Sequence, residues 1–275
     1  MQPLTLLTLT TCYYNVKSKF PPTKYLAWAN NLLSIVNNFN LVIYTNKESF
    51  DILKPLFKSN PIIANKIGKK IKIIIKPLED FVGYKYKDDW IRNHNSSGLY
   101  LHKNTIWTLN MIWCEKLHFV NETVTNKYFV TPFYGWCDMG YFRDESNINI
   151  KQFNEWPNPL KVLPLTKGIH YACIENNQAV LKDLINAIQT SPLLKDKILK
   201  NSFAGGFFIT RPRLIKVFTS IFDTKLQYYF NNNYIVKDDQ TILLDCIANN
   251  PQLFSLHWEQ DSRYDNWFMF QRLLL

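Results

Sequence analysis

The sequence predicts an α/β protein: a mixed, mainly parallel β-sheet flanked by helices, formed within a single domain. Three observations carry that prediction. Short apolar runs rich in Val, Ile, Thr and aromatic residues alternate with segments of helical periodicity. The alternation opens in a β-α-β-α-β order, which requires crossover connections and therefore parallel pairing. The chain has 275 residues and 47% hydrophobic content, with no internal repeat or dividing linker, so one large core can hold it without disulfide or metal staples.

Leu4–Cys12 is apolar and Thr-rich, as a strand requires. After Pro21-Pro22, Thr23 is placed to cap a helix with Leu26, Ala29, Leu33 and Val36 on one stripe. Leu41-Val42-Ile43-Tyr44 is a short buried strand, and Asn46 caps the helix running through Phe57. Ile71–Ile75 is a third strand, ended by Pro77. Ligands of such a sheet gather at the carboxyl ends of its strands, here Thr11–Asn15 and Thr45-Asn46. The polar stretch Lys85–Asn104 reads as loop or short helices, Ile106–Phe119 as a buried helix, and Tyr128–Thr131 as a strand. Pro157, Pro159 and Pro164 make residues 151–168 an excursion over the surface. Alternation then resumes. Strands are expected near His170–Ile174, at Phe203–Thr210 and at Gln252–His257, with helices at Gln178–Ile188, Arg213–Phe230 and Asp238–Ala248.

The formal charge of +10 invites a nucleic-acid reading. The basic residues are dispersed, however, and no helix-turn-helix, zinc-finger or RNP pattern accompanies them. An Asn/Lys/Ile bias, as in Asn231-Asn232-Asn233 and Lys69-Lys70-Ile71-Lys72, raises the Lys count without a functional demand. No HExxH occurs, and His94 and His102 lack a matching acidic cluster, which disfavours a metal-dependent phosphodiesterase. Cys12, Cys114, Cys137, Cys173 and Cys246 form no CxxC pair and fit free thiols in a reducing compartment. The first residues read as a strand and no 18-residue run is apolar, so a cytoplasmic protein without a membrane span is expected.

Gly is scarce, with eight in the chain, yet Gly135, Gly140, Gly205 and Gly206 fall in two segments. Tyr134–Arg143 sets Asp138 just beyond an apolar strand, where a carboxylate either caps a turn or holds a divalent cation bridging phosphate oxygens. Gly205-Gly206, in Asn201–Ile209, allow backbone amides to approach a sugar or phosphate, or mark a bulge. Lys237-Asp238-Asp239-Gln240 opens a helix. The helix dipole accounts for one of its acids, and the second is free to act as base or hydroxyl binder. His257 is either a hydrogen-bonded structural residue or, converging on Asp138, part of a metal site.

Taken in order, Thr8–Tyr14, Trp136–Arg143, Ala204–Phe208 and Asp238–Gln240 resemble the HtrL/YibB-like family, itself similar to nucleotide-sugar glycosyltransferases of the GT-A fold. The likeness runs from Leu4 to about His257. It implies a GT-A-like sheet, with residues 1–140 the nucleotide-binding half and 141–275 the acceptor side. It also implies a donor such as a UDP-sugar, a glycan or other hydroxyl acceptor, and Mn²⁺ or Mg²⁺ on the diphosphate. Asp138 would then be a metal ligand and His257 the late His completing that site. Thr11 and Tyr13 would flank the base, Lys116 would lie near the phosphates, and Gly205-Gly206 near the donor sugar. Asp239 would be the base or face the acceptor, with Asp238 its partner. Asp138-Met139-Gly140 stands where many GT-A enzymes have Asp-x-Asp, and Gly140 replaces the second acid, so one acidic contact is missing. In such chemistry a departing diphosphate needs positive charge, which Lys116 or Lys17 can add. The other readings are an inactive glycosyltransferase fold that only binds and a basic nucleic-acid-binding protein.

Overall fold

The computed structural model describes residues 5–143, 149–190 and 202–275. The first crossovers are β1 (Leu7–Tyr13), α1 (Pro22–Ser34), β2 (Phe39–Thr45), α2 (Lys47–Ser59), α3 (Pro61–Ala64) and β3 (Ile71–Ile75). Four helices follow, α4 (Lys87–Ser96), α5 (Tyr100–Asn104), α6 (Trp107–Cys114) and α7 (Lys116–Thr125), leading to β4 (Phe133–Cys137). The rest comprises α8 (Pro159–Val162), β5 (Ile169–Cys173), α9 (Gln178–Thr190), β6 (Phe207–Thr210), α10 (Pro212–Asn231), α11 (Asp239–Asn249), β7 (Phe254–Trp258) and α12 (Met269–Leu273).

The strands form one seven-stranded sheet in the order β3-β2-β1-β4-β6-β5-β7. β1 pairs parallel with both β2 and β4, β2 with β3, and β5 with β7. Only β6 runs against its neighbours, antiparallel to β4 and β5. The expected mixed, mainly parallel sheet flanked by helices is therefore present, and it runs unbroken across residue 140. One face is covered by α7, α10 and α11 through residues such as Phe119, Phe218 and Ile242. The other is covered by α1, α2 and α12 through Leu32, Leu53 and Phe270. Strand order reverses at β1, with β2 on one side and β4 on the other, so a crevice opens beyond their carboxyl ends.

Several elements differ from the sequence reading for identifiable reasons. Leu4 lies outside the described residues, and β1 extends through Tyr13. Thr23 does not cap α1. Pro21 is the N-cap and Pro22 opens the helix, where a fixed φ and a missing N–H cost nothing. Asn46 does cap α2, its side chain accepting the Ser49 N–H at 2.9 Å. The expected helix over Ile106–Phe119 is two helices broken at Glu115, whose buried carboxylate accepts the Val82 and Gly83 N–H groups at 2.8 and 2.9 Å. Residues 151–168 are more than a surface excursion, since Phe153, Trp156 and Val162 are buried and Trp156 packs edge-on against Phe39 and Phe142.

The strand expected at Tyr128–Thr131 lies instead at Phe133–Cys137, and residues 128–131 are an irregular connection after the turn that ends α7. Propensity favours the earlier run because the later one contains Gly135. That glycine is what lets β4 and β6 approach: a Cβ there would sit 2.0 Å from the Phe208 carbonyl oxygen. Gly135→Ala is therefore expected to destabilise the protein by about 1–3 kcal/mol through overpacking, read as a lower urea midpoint. An unchanged midpoint would show that the β4–β6 spacing relaxes freely.

Candidate functional site

A cleft of about 400 Å³ opens at the reversal point beyond β1 and β4. Its floor carries Asp138, immediately after β4, the Gly205-Gly206 pair entering β6, and Asp238-Asp239 at the start of α11. Lys116, the first residue of α7, ties these segments together. Its ammonium is buried and donates to the Gly205 carbonyl at 2.8 Å. The same Nζ lies 3.0 Å from Asp239 Oδ2 and 3.2 Å from Asp138 Oδ1. The Trp136 indole N–H donates to Asp138 Oδ1 at 2.6 Å, and the Asp138 backbone N–H donates to Gly206 O at 2.8 Å.

The cluster's electrostatics follow from burial and mutual charge. Burial works against the Lys116 ammonium, but the Asp138 and Asp239 carboxylates outweigh it and hold the group above the ordinary lysine range. Burial, assisted by the charges of Asp238 and Asp138 and opposed by Lys116, pushes the Asp239 carboxyl up to about 6. Asp238 is the N-cap of α11 but makes no capping hydrogen bond. Its Oδ2 faces Lys237 Nζ at 3.4 Å, and its buried Oδ1 has no donor. Gln240 Oε1, also at the cleft, is a second buried acceptor without a donor. Gly205 has a steric requirement here, because a Cβ would lie 2.9 Å from Asp239 Oδ2.

Of the residues singled out from sequence, Tyr13, Lys116, Asp138, Gly205, Gly206, Asp238 and Asp239 line this cleft. Three do not. Thr11 is wholly buried within β1, two residues before the cleft-lining Tyr13 on the same sheet face. Lys17 is exposed outside the cleft, and Lys19 takes a cleft-lining position instead, its ammonium 5.0 Å from the Trp113 ring centroid. His257, on β7, is bonded through Nε2 to His170 Nδ1 at 2.9 Å and packs on Phe270. It does not line the cleft, so it does not complete a site at Asp138.

Other cleft residues escaped the sequence reading. Trp136 follows from β4 once the strand's position is corrected. Lys19 and Phe20 sit in the β1–α1 loop, the expected ligand edge of a parallel sheet. Arg143 ends the Trp136–Arg143 segment without a role read for it, and Asp265, Trp267 and Phe268 carry no sequence signal; the tertiary fold brings all four to the rim. Arg143 donates from Nε to Gly140 O at 2.6 Å, and its guanidinium stacks 4.6 Å from the Trp28 ring centroid.

The donor set does not match the divalent cation the resemblance implies. At position 140 a Cβ would lie 2.8 Å from Trp28 Cε3, so packing excludes the second acid. The two carboxylate oxygens and the carbonyl oxygen best placed for a cation already surround Lys116 Nζ. Among the described residues no group of three or more His, Cys, Asp or Glu side chains is arranged to hold a metal.

Fold and site together define an α/β protein with a ligand cleft at the switch point of a mainly parallel sheet. The chain belongs to the HtrL/YibB family: the model of that family, described as bacterial proteins of unknown function (HtrL_YibB), matches residues 13–274. No curated protein matches the sequence. Among solved structures 92 chains match. One is mouse xyloside xylosyltransferase 1 in its apo form, 15% identical, with 91% of this chain and 84% of that chain covered and a TM-score of 0.47. Among the described residues no helix is long and apolar enough to cross a membrane.

Proposed function

We propose that this protein is a glycosyltransferase that moves a sugar from a nucleotide-sugar donor, such as a UDP-sugar, to a hydroxyl of a glycan or similar acceptor. The observation that carries the reading is the meeting of Asp138, Gly205 and Asp239 on one buried ammonium, at the ligand edge of a parallel sheet. Those residues come from three of the four segments that resemble the HtrL/YibB-like and GT-A pattern. Asp238 Oδ1 and Gln240 Oε1 add buried acceptors that lack donors, a demand that sugar hydroxyls meet.

In this reading residues 1–140 hold the nucleotide, with Tyr13 beside the base, and residues 141–275 form the acceptor side. Gly205 lets the start of α11 pack close, which sets Asp239 and Gln240 beside the donor sugar. The acceptor hydroxyl attacks the anomeric carbon as the bond to the diphosphate oxygen breaks, through an oxocarbenium-like transition state. In an inverting reaction Asp239 takes the hydroxyl proton, and a carboxyl near 6 is well matched to that task at neutral pH. Trp267 and Phe268 at the rim present flat apolar surfaces to the acceptor.

The test is a panel of nucleotide sugars read by thermal unfolding. A true donor at 100 times its Kd adds about 2.7 kcal/mol of apparent stability, and the same donor is then turned over with a hydroxyl acceptor. Absence of a shift with every donor overturns the reading. A shift without transfer or hydrolysis favours an inactive binding module, which the missing second acid at Gly140 would suit.

A further inference from the structure

We infer that the Lys116 ammonium is built into the position a divalent cation would occupy, and that Lys19 meets the donor's diphosphate, so that donor binding needs no metal. The ligand in this inference rests on the nucleotide-sugar reading; the assignment of the cation position does not. Two carboxylates and a carbonyl are a hard-oxygen set of the kind Mg²⁺ and Mn²⁺ take. Here Asp138 Oδ1, Asp239 Oδ2 and Gly205 O stand 3.2, 3.0 and 2.8 Å from Lys116 Nζ. The ammonium meets three oxygens, the Gly205 carbonyl in a hydrogen bond and the two carboxylates in ion pairs. The side chain is enclosed by the start of β6, the start of α11 and the Trp136 ring, 5.7 Å from its centroid.

The pairing of Lys116 has a second consequence. The Lys116 charge is buried and already balanced by two carboxylates, so the diphosphate needs another cation. Lys237 faces Asp238, Lys17 lies outside the cleft, and Arg143 at the rim is held against Gly140 O and the Trp28 ring. Lys19 lines the cleft with its ammonium over the Trp113 ring rather than against a carboxylate. It is a compact charge on a flexible stem, suited to reach a phosphate wherever the nucleotide sets it.

The full-length protein, stripped of metal, tests both parts. In a Mn²⁺ titration read by electron paramagnetic resonance, the wild type is expected to leave the free-ion signal unchanged. Lys116→Met, which frees both carboxylates, is expected to quench it. Quenching by the wild type overturns the assignment of the cation position, whether or not the variant folds. In calorimetric titrations with UDP, the Kd is expected to be the same in EDTA and in Mn²⁺. Lys19→Ala is expected to weaken UDP by about tenfold or more, comparable to losing a charge-assisted hydrogen bond, while Lys17→Ala leaves it unchanged. A tenfold gain from Mn²⁺, or full affinity in Lys19→Ala, overturns the inference. Failure to bind UDP in either condition overturns a uridine donor and the role of Lys19 with it, and the Mn²⁺ titration then decides Lys116 alone.

Discussion

Lys116→Met is expected to lower stability by roughly 3–5 kcal/mol at pH 8, the range for breaking a buried ion pair by removing one partner. Met keeps the length of the stem but leaves Asp138 and Asp239 facing each other across the former ammonium position, with Asp238 adjacent. The remedy open to the protein is protonation, and Asp239 is the group poised for it. Its folded value, already raised from the ordinary 3.8 to about 6 by burial, loses the Lys116 charge that opposes the rise. A carboxyl whose folded value lies above its unfolded one binds the extra proton in the native state. Its penalty is therefore present in full above the folded value and is relieved as pH falls through it toward the unfolded value. The variant should thus recover stability between pH 8 and about 5 more steeply than the wild type, which shows the same sign over a window below about 6. Urea melts at both pH values measure this, with the m-value as a check that the unfolding reaction is unchanged. A small loss at pH 8, or a loss independent of pH, would mean that water reaches the carboxylates and that the cluster is not a dry counter-ion site.

How much of this site could be read in the sequence depends on the kind of residue. Asp138, Gly205 and the Asp238-Asp239 pair were legible because each breaks a local pattern: an acid after an apolar run, a glycine pair at a strand start, two acids where one would serve a helix. The β-α-β-α-β order and the Asn46 cap were legible because they are local as well. Lys116 was legible only through resemblance. Its central position depends on the break between α6 and α7, which Glu115 creates by accepting N–H groups from residues more than thirty positions earlier. Read as one helix, the same lysine is a lone charge on an apolar stripe with Ile112, Trp113 and Phe119, and nothing local pairs it with an acid. Thr11 and Lys17 miss the cleft by small displacements along the chain, beyond what strand periodicity resolves near a strand's end. His257 failed for a different reason: a late histidine after an apolar strand was assigned to a site by order alone, whereas β7 lies at the sheet edge beside β5, where His170 is its partner. Burial and His257 push His170 down to about 4, and burial lowers His257, so the pair is neutral and structural near pH 7.

Asp239→Asn is expected to slow sugar transfer by about 10²- to 10⁴-fold, the usual worth of a positioned general base, while leaving donor affinity nearly intact. The Asn amide oxygen can still accept from Lys116 Nζ, as the carboxylate does at 3.0 Å, so the ammonium stays in position. What the substitution removes is the capacity to take a proton from the acceptor hydroxyl. The pH profile separates that loss from a structural one. With a carboxyl near 6 as base, the wild-type kcat/KM should rise with pH through about 6 and level above it, because only the deprotonated form accepts the proton. The variant should be slow at every pH and lack that rising limb. A variant that keeps full activity and the limb would assign the limb to another group and point to a retaining route, which needs no base. A loss of donor affinity with transfer otherwise unchanged would mean that Asp239 acts by holding Lys116 and that the base lies elsewhere. Asp238 would then be the nearest candidate, a cleft-lining carboxylate whose buried Oδ1 has no donor.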